Sequence, residues 1–200
     1  MRLRLILIVS AFFSLGAYFA TLWLMPPSGS PHVGVVIGSK ARVGGAFVLT
    51  DHTGKRVRDT DFRGRHMLVF FGYTACPDIC PMGLQTIGAA LEQLGSRADK
   101  IAPIFITLDP ARDTPDVMAS YVANFDPRLI GLTGTPEEIA GVAKAFHAYY
   151  SPRAESSDDG KHHVDHAAIY YLQDEAGEYA GHFAYSLNPE ELASGIAKLL

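Results

Sequence analysis

The chain holds two cysteines, Cys76 and Cys80, four residues apart in the run FFGYTACPDICP, where an apolar stretch gives way to a helical pattern. At i and i+4 two side chains share one helix face, and a helix N-terminus stabilises a thiolate through its dipole and its open backbone N–H groups. Two such thiolates can close a disulfide or hold a soft metal. Copper(I) prefers sulfur, whereas copper(II) and zinc also accept imidazole, so whether a histidine joins the pair decides the chemistry. The segment KHHVDH offers His162, His163 and His166. A disulfide at this spacing closes only a tiny loop and restricts the unfolded chain little, which favours a functional pair over a structural bridge.

The flanking pattern says what must position these residues. Residues 67–72 form a continuous apolar run of strand length, as a central strand covered on both faces requires, and the cysteine motif follows at its carboxyl end. Leu84, Ile87, Ala90, Leu91 and Leu94 then recur at three- and four-residue spacing, which predicts an amphipathic helix stopped by Gly95. Residues 103–108 read as a second buried strand. After it, Thr114 caps a helix with Pro115 at its first position, and Thr135 with Pro136 repeats the device further on. An opening hairpin turns at residues 51–54, a short strand occupies 129–132, a later hairpin turns through Asp-Glu-Ala-Gly, and a last helix covers 189–200. Strands alternating with helices, followed by a hairpin and a helix, predict a layered α/β domain. Asp109 and the loop 110–115 follow the second buried strand, and so are expected at the sheet end that carries the cysteines.

The rest of the chain bounds the setting. Residues 5–25 carry no charge, with Arg2 and Arg4 before them and Pro26-Pro27 after them. At ~1.5 Å per residue this stretch matches the ~30 Å hydrocarbon core, which predicts one N-terminal membrane anchor (1–25) rather than a cleaved signal. The two arginines hold the N-terminus on the cytoplasmic side, so the body is expected in the periplasm on the inner membrane. Residues 26–42 are rich in Pro, Gly, Ser and Val and suit a tether, leaving 43–200 as one domain. The formal charge of −4 becomes −6 once Arg2 and Arg4 are set aside, with basic residues scattered, which argues against nucleic acid as a partner.

Three separated motifs in order, GGAFVLTDHTGKRVRDTDFRGRHMLVFFGYTACPDICP, TLDPARDTP and VDHAAIYYLQDEAGEYAGHF, resemble the Sco/SenC family of membrane-anchored copper proteins that assist cytochrome c oxidase assembly. The similarity covers residues 44–200 and extends to the single anchor. It implies a thioredoxin-like fold with an N-terminal β-hairpin extension, and a copper site made of Cys76, Cys80 and His166 that takes copper(I) or copper(II). It further implies a metallochaperone rather than an enzyme, with cytochrome c oxidase subunit II as acceptor and a periplasmic copper donor or thiol reductant as second partner.

Several residues have competing readings. The two cysteines alone would serve a periplasmic thiol:disulfide reductase that keeps the oxidase subunit's cysteines reduced. Against it, thioredoxins use C-x-x-C, and Asp78 between these thiols is expected to raise their pKa. A thiol peroxidase fits worse, because no Pro-x-x-x-Thr-x-x-Cys pattern precedes Cys76. His162 and His163 are auxiliary ligands or solvated neighbours, Asp165 an orienting partner for His166 or a surface group. Arg112 and Asp113 are expected to pair within their loop, and Tyr73 to wall the site.

Overall fold

The computed structural model describes residues 43–152, 164–166 and 168–200, with the side chains of 151–152 and 164–166 outside that description. A seven-stranded sheet runs in the order β2 (Arg56–Arg58), β1 (Val48–Asp51), β5 (Ile130–Thr133), β4 (Ile101–Thr107), β3 (His66–Gly72), β8 (Ile169–Gln173), β9 (Tyr179–Ala184). Its centre is β3 (His66–Gly72) beside β4 (Ile101–Thr107), paired in parallel from His66–Ile101 to Gly72–Thr107. Every residue of both strands is buried, as their unbroken apolar sequence requires of strands covered on two faces. Side chains alternate between two cores. Met67, Val69 and Phe71 face one, and Leu68 and Phe70 face the other.

β5 (Ile130–Thr133) extends the parallel set beside β4. The opening hairpin, β1 (Val48–Asp51) and β2 (Arg56–Arg58), joins that edge antiparallel to β5, and its turn is held by Asp51 accepting the Thr53 and Lys55 N–H groups. β8 (Ile169–Gln173) and β9 (Tyr179–Ala184) close the opposite edge as an antiparallel hairpin on β3. A separate two-stranded ribbon pairs β6 (Tyr150–Pro152) with β7 (Val164–His166). The sequence pattern does not announce it.

Helices α1 (Ile79–Leu94), α2 (Pro115–Val122) and α4 (Pro189–Ala197) bury their apolar stripes on one face, through Leu84, Ile87, Leu91, Met118, Val122, Leu192 and Ile196. Burying each such side chain contributes about 1.5–3 kcal/mol. On the other face α3 (Pro136–Ala145) packs Ile139, Val142 and Ala143 against the sheet. The predicted caps form: Thr114 Oγ1 accepts the Val117 N–H at 3.4 Å, and Thr135 with Glu138 makes a reciprocal capping box. α3 ends at residue 145, and His147 beyond it takes a left-handed φ of 54° that turns the chain toward β6. This mixed sheet with its βαβα core, closing hairpin and C-terminal helix is the thioredoxin-like architecture, with the β1–β2 hairpin added at the edge. No helix among the described residues is long and apolar enough to cross a membrane, and the segment 1–42 lies outside them.

Candidate metal centre

β3 delivers the chain to Gly72, and Tyr73 to Asp78 form the mouth between strand and helix. The Cys76 N–H closes a turn onto the Tyr73 carbonyl at 3.2 Å, and α1 starts only at Ile79, with Asp78 as its N-cap residue. Cys76 thus precedes the helix and Cys80 lies in its first turn. The two do not share a helix face, as four-residue spacing alone suggested. They meet instead because the turn folds back, and the Cys80 N–H donates to Cys76 Sγ at 3.4 Å.

Cys80 is fully buried and Cys76 is 9% exposed, and both stand as thiols. The Cys80 thiol is pushed far above the ordinary cysteine range, first by its hydrogen bond with the Cys76 side chain and then by burial, against a smaller opposing bond from the Tyr73 backbone. This reverses the expectation of a helix-stabilised thiolate. The adjoining Cys76 sulfur, together with desolvation at zero exposure, outweighs the dipole of the first turn. The carboxylate that bears on Cys80 is Asp113, while Asp78 is exposed and, after burial, raises the Tyr185 hydroxyl.

The sulfur of Cys80 rests where a side chain at position 72 would be. A Cβ on Gly72 would meet Cys80 Sγ at 2.5 Å and Phe105 Cε2 at 2.8 Å. Tyr73 walls the site as expected, 3% exposed in the same apolar cluster as both cysteines.

The loop after β4 is tied to this mouth. The Leu108 N–H donates to the Gly72 carbonyl at 2.7 Å, and the Asp113 carboxylate, 1% exposed, accepts the Thr74 N–H at 3.0 Å and the Thr74 and Thr107 hydroxyls at 2.5 Å each. Asp113 is therefore no surface ion-pair partner. Arg112 reaches Asp109 instead, at 3.5 Å, and the Asp109 N–H donates to Thr107 Oγ1 at 2.9 Å. Sequence reasoning missed the Asp113 junction. Its only signals are the threonines at the ends of the two buried strands, which acquire meaning once both strands are known to finish at the same edge.

The histidines fall as follows. His166 closes β7, and its main chain is in register with Tyr150, while Asp165 opposes Ser151. Tyr150 packs its half-buried ring against the apolar cluster that contains Cys76 and Cys80, as does Ile169 just beyond β7. Position 166 is thus paired with a residue packed on the cluster that holds both cysteines. Its side chain and that of Asp165 lie outside the described residues, as do His162 and His163 entirely. Among the described residues no three His, Cys, Asp or Glu side chains gather as a metal-binding group.

A thioredoxin-like domain with a buried thiol pair at a strand–helix mouth defines the class of protein. The family is defined by comparison: the SCO1/SenC family model matches residues 36–200, and this chain belongs to that family. Protein sco1 of Schizosaccharomyces pombe is 43% identical over 159 residues, covering 78% of this chain and 60% of its own length. The human SCO1 homolog, mitochondrial, is 41% identical over 160 residues, and the chain spans 53% of it. A SCO2-like protein of Rickettsia prowazekii is 36% identical over 191 residues, with 94% and 93% covered. Among solved structures, ScoI of Bradyrhizobium japonicum with copper bound superposes with a TM-score of 0.72 at 43% identity, over 79% of this chain and 99% of that one. Yeast Sco1 with copper bound gives 0.73 at 32% identity, over 79% and 88%.

Proposed function

We propose that this protein is a membrane-anchored copper chaperone that holds copper(I) or copper(II) through Cys76, Cys80 and His166 and supplies the binuclear copper centre of cytochrome c oxidase subunit II. The observation that carries this reading is the pair of adjoining, desolvated sulfurs of Cys76 and Cys80, the latter over Gly72, on a fold shared with relatives solved with copper bound. Two thiolates and one neutral imidazole make a soft donor set with net charge near −1 for copper(I), and the same set accepts copper(II) with a further weak ligand. Copper is cargo here. Three donors leave a coordination position open, through which an acceptor's sulfur or imidazole enters before the chain's own ligands depart. The chain thus works by binding and exchange and is not an enzyme in the strict sense.

Residues 5–25 supply the anchor and 43–200 the periplasmic domain in this reading, with a copper donor or thiol reductant upstream. Copper titration of the full chain, with copper(I) and copper(II) in separate experiments, tests it. One metal per chain is expected, with a sulfur-to-copper(II) charge-transfer band that disappears in Cys76→Ser. Absence of both would end the copper reading.

The hydrogen-bonded sulfurs also favour a second reading, a thiol:disulfide reductase acting on the oxidase subunit's cysteines. It needs no imidazole. Full complementation by His166→Ala but none by Cys76→Ser would favour it.

A further inference from the structure

Tyr121 lies in α2, and its hydroxyl is buried with no hydrogen-bond partner among the described residues. Tyrosine hydroxyls in protein interiors are normally satisfied, so this orphan is a donor in want of an acceptor. The ring packs at a tilt on Phe105, centroids 5.6 Å apart, and meets Phe125 edge-on at 5.2 Å. Phe105 in turn borders the space above Gly72 that Cys80 Sγ fills, so one ring packs against both the tyrosine and the sulfur cradle. Asp113, the nearby carboxylate, already accepts from Thr74 and Thr107. Burial first, and then negative charge at Cys80, Cys76 and Asp113, raises the Tyr121 hydroxyl, which keeps it protonated as a donor.

We infer that Tyr121 is a positioning residue for the proposed copper centre, its buried hydroxyl donating to the Cys80 sulfur once metal binding has released the thiol proton to solvent. A neutral thiol is a weak acceptor, whereas a metal-bound thiolate is a strong one, so the bond exists only in the loaded state. Hydrogen bonding to the sulfur drains electron density from it. That favours copper(I), the state with less charge on the metal, over copper(II), and moves the sulfur-to-copper(II) absorption to higher energy.

This inference rests on the copper reading above, and Tyr121→Phe in the full chain separates the two. The metal-free variant should melt at or slightly above the wild-type temperature, because an unsatisfied buried hydroxyl has been removed. Copper(I) affinity, measured against a competing chelator, should fall about tenfold relative to copper(II) affinity. The charge-transfer band should move to lower energy. An unchanged band and affinity ratio, or a metal-free variant that melts well below wild type, would overturn the inference while leaving the copper reading intact. A wild-type protein without any sulfur–copper band would overturn both.

Discussion

Cys80 sits directly over Gly72, close enough that one added carbon would approach the sulfur to 2.5 Å. The last residue of a central strand has given up its side chain to make room for a thiol from the next helix. Gly72→Ala must therefore displace Cys80 or Phe105, both fully buried. Overpacking of this kind costs about 1–3 kcal/mol, so urea unfolding should shift by that amount, and copper(I) affinity should fall with it.

Asp113 joins two strand ends through three donated hydrogen bonds. Asp113→Ala strands the Thr74 N–H and two hydroxyls in the interior and should lower stability by about 3 kcal/mol, whereas Thr107→Val removes one donor and should cost about 1 kcal/mol. Chemical denaturation of the metal-free protein measures both. Equal effects from the two variants would mean that Asp113 holds the Thr107 hydroxyl alone.

The three proposed ligands are not equivalent. His166→Ala should weaken copper(I) binding about a hundredfold, near 2.7 kcal/mol, with the circular dichroism spectrum unchanged. Either cysteine variant should cost more, since sulfur dominates copper(I) binding. Chelator competition ranks them, and a histidine effect of zero removes the imidazole from the site.

In the metal-free dithiol, Cys80 keeps its proton well above the 9.0 of an ordinary cysteine. Between those values the unfolded chain has lost the proton and the folded chain has not. The unfolded state then binds fewer protons, and stability falls as pH rises past about 9, by about 1.4 kcal/mol per pH unit for one proton. Below that pH the contribution is fully present. Urea midpoints from pH 8 to 10.5 should show the decline in wild type and a flatter profile in Cys80→Ser.

Much of this molecule is legible along the chain because local chemistry coincides with tertiary role. Thr114-Pro115 and Thr135-Pro136 begin helices by capping alone, and the apolar runs of β3 and β4 can only be covered strands. The ribbon β6–β7 could not be read this way. Its strands are three residues long, one ends in proline, and neither alternates cleanly. The site divides similarly. Both cysteines and the loop after β4 were expected at one sheet edge, and they are there. The relation between the sulfurs was not, because spacing took Cys76 into the helix whereas the chain turns at Tyr73 before α1 begins. Asp113 was expected to pair with its neighbour Arg112 because its actual partner at position 74 is remote in sequence.

Among the described residues the ribbon β6–β7 shares no ladder with the seven-stranded sheet. Position 166 is thus carried on an island of pairing linked along the chain to α3 and β8, while the cysteines belong to the sheet's own rim. In the proposed ligand set, a cation gripped by position 166 and by the two sulfurs would act as a rivet between two separately paired parts. Its removal would open one seam and leave the chassis standing, which is what a carrier of removable freight requires.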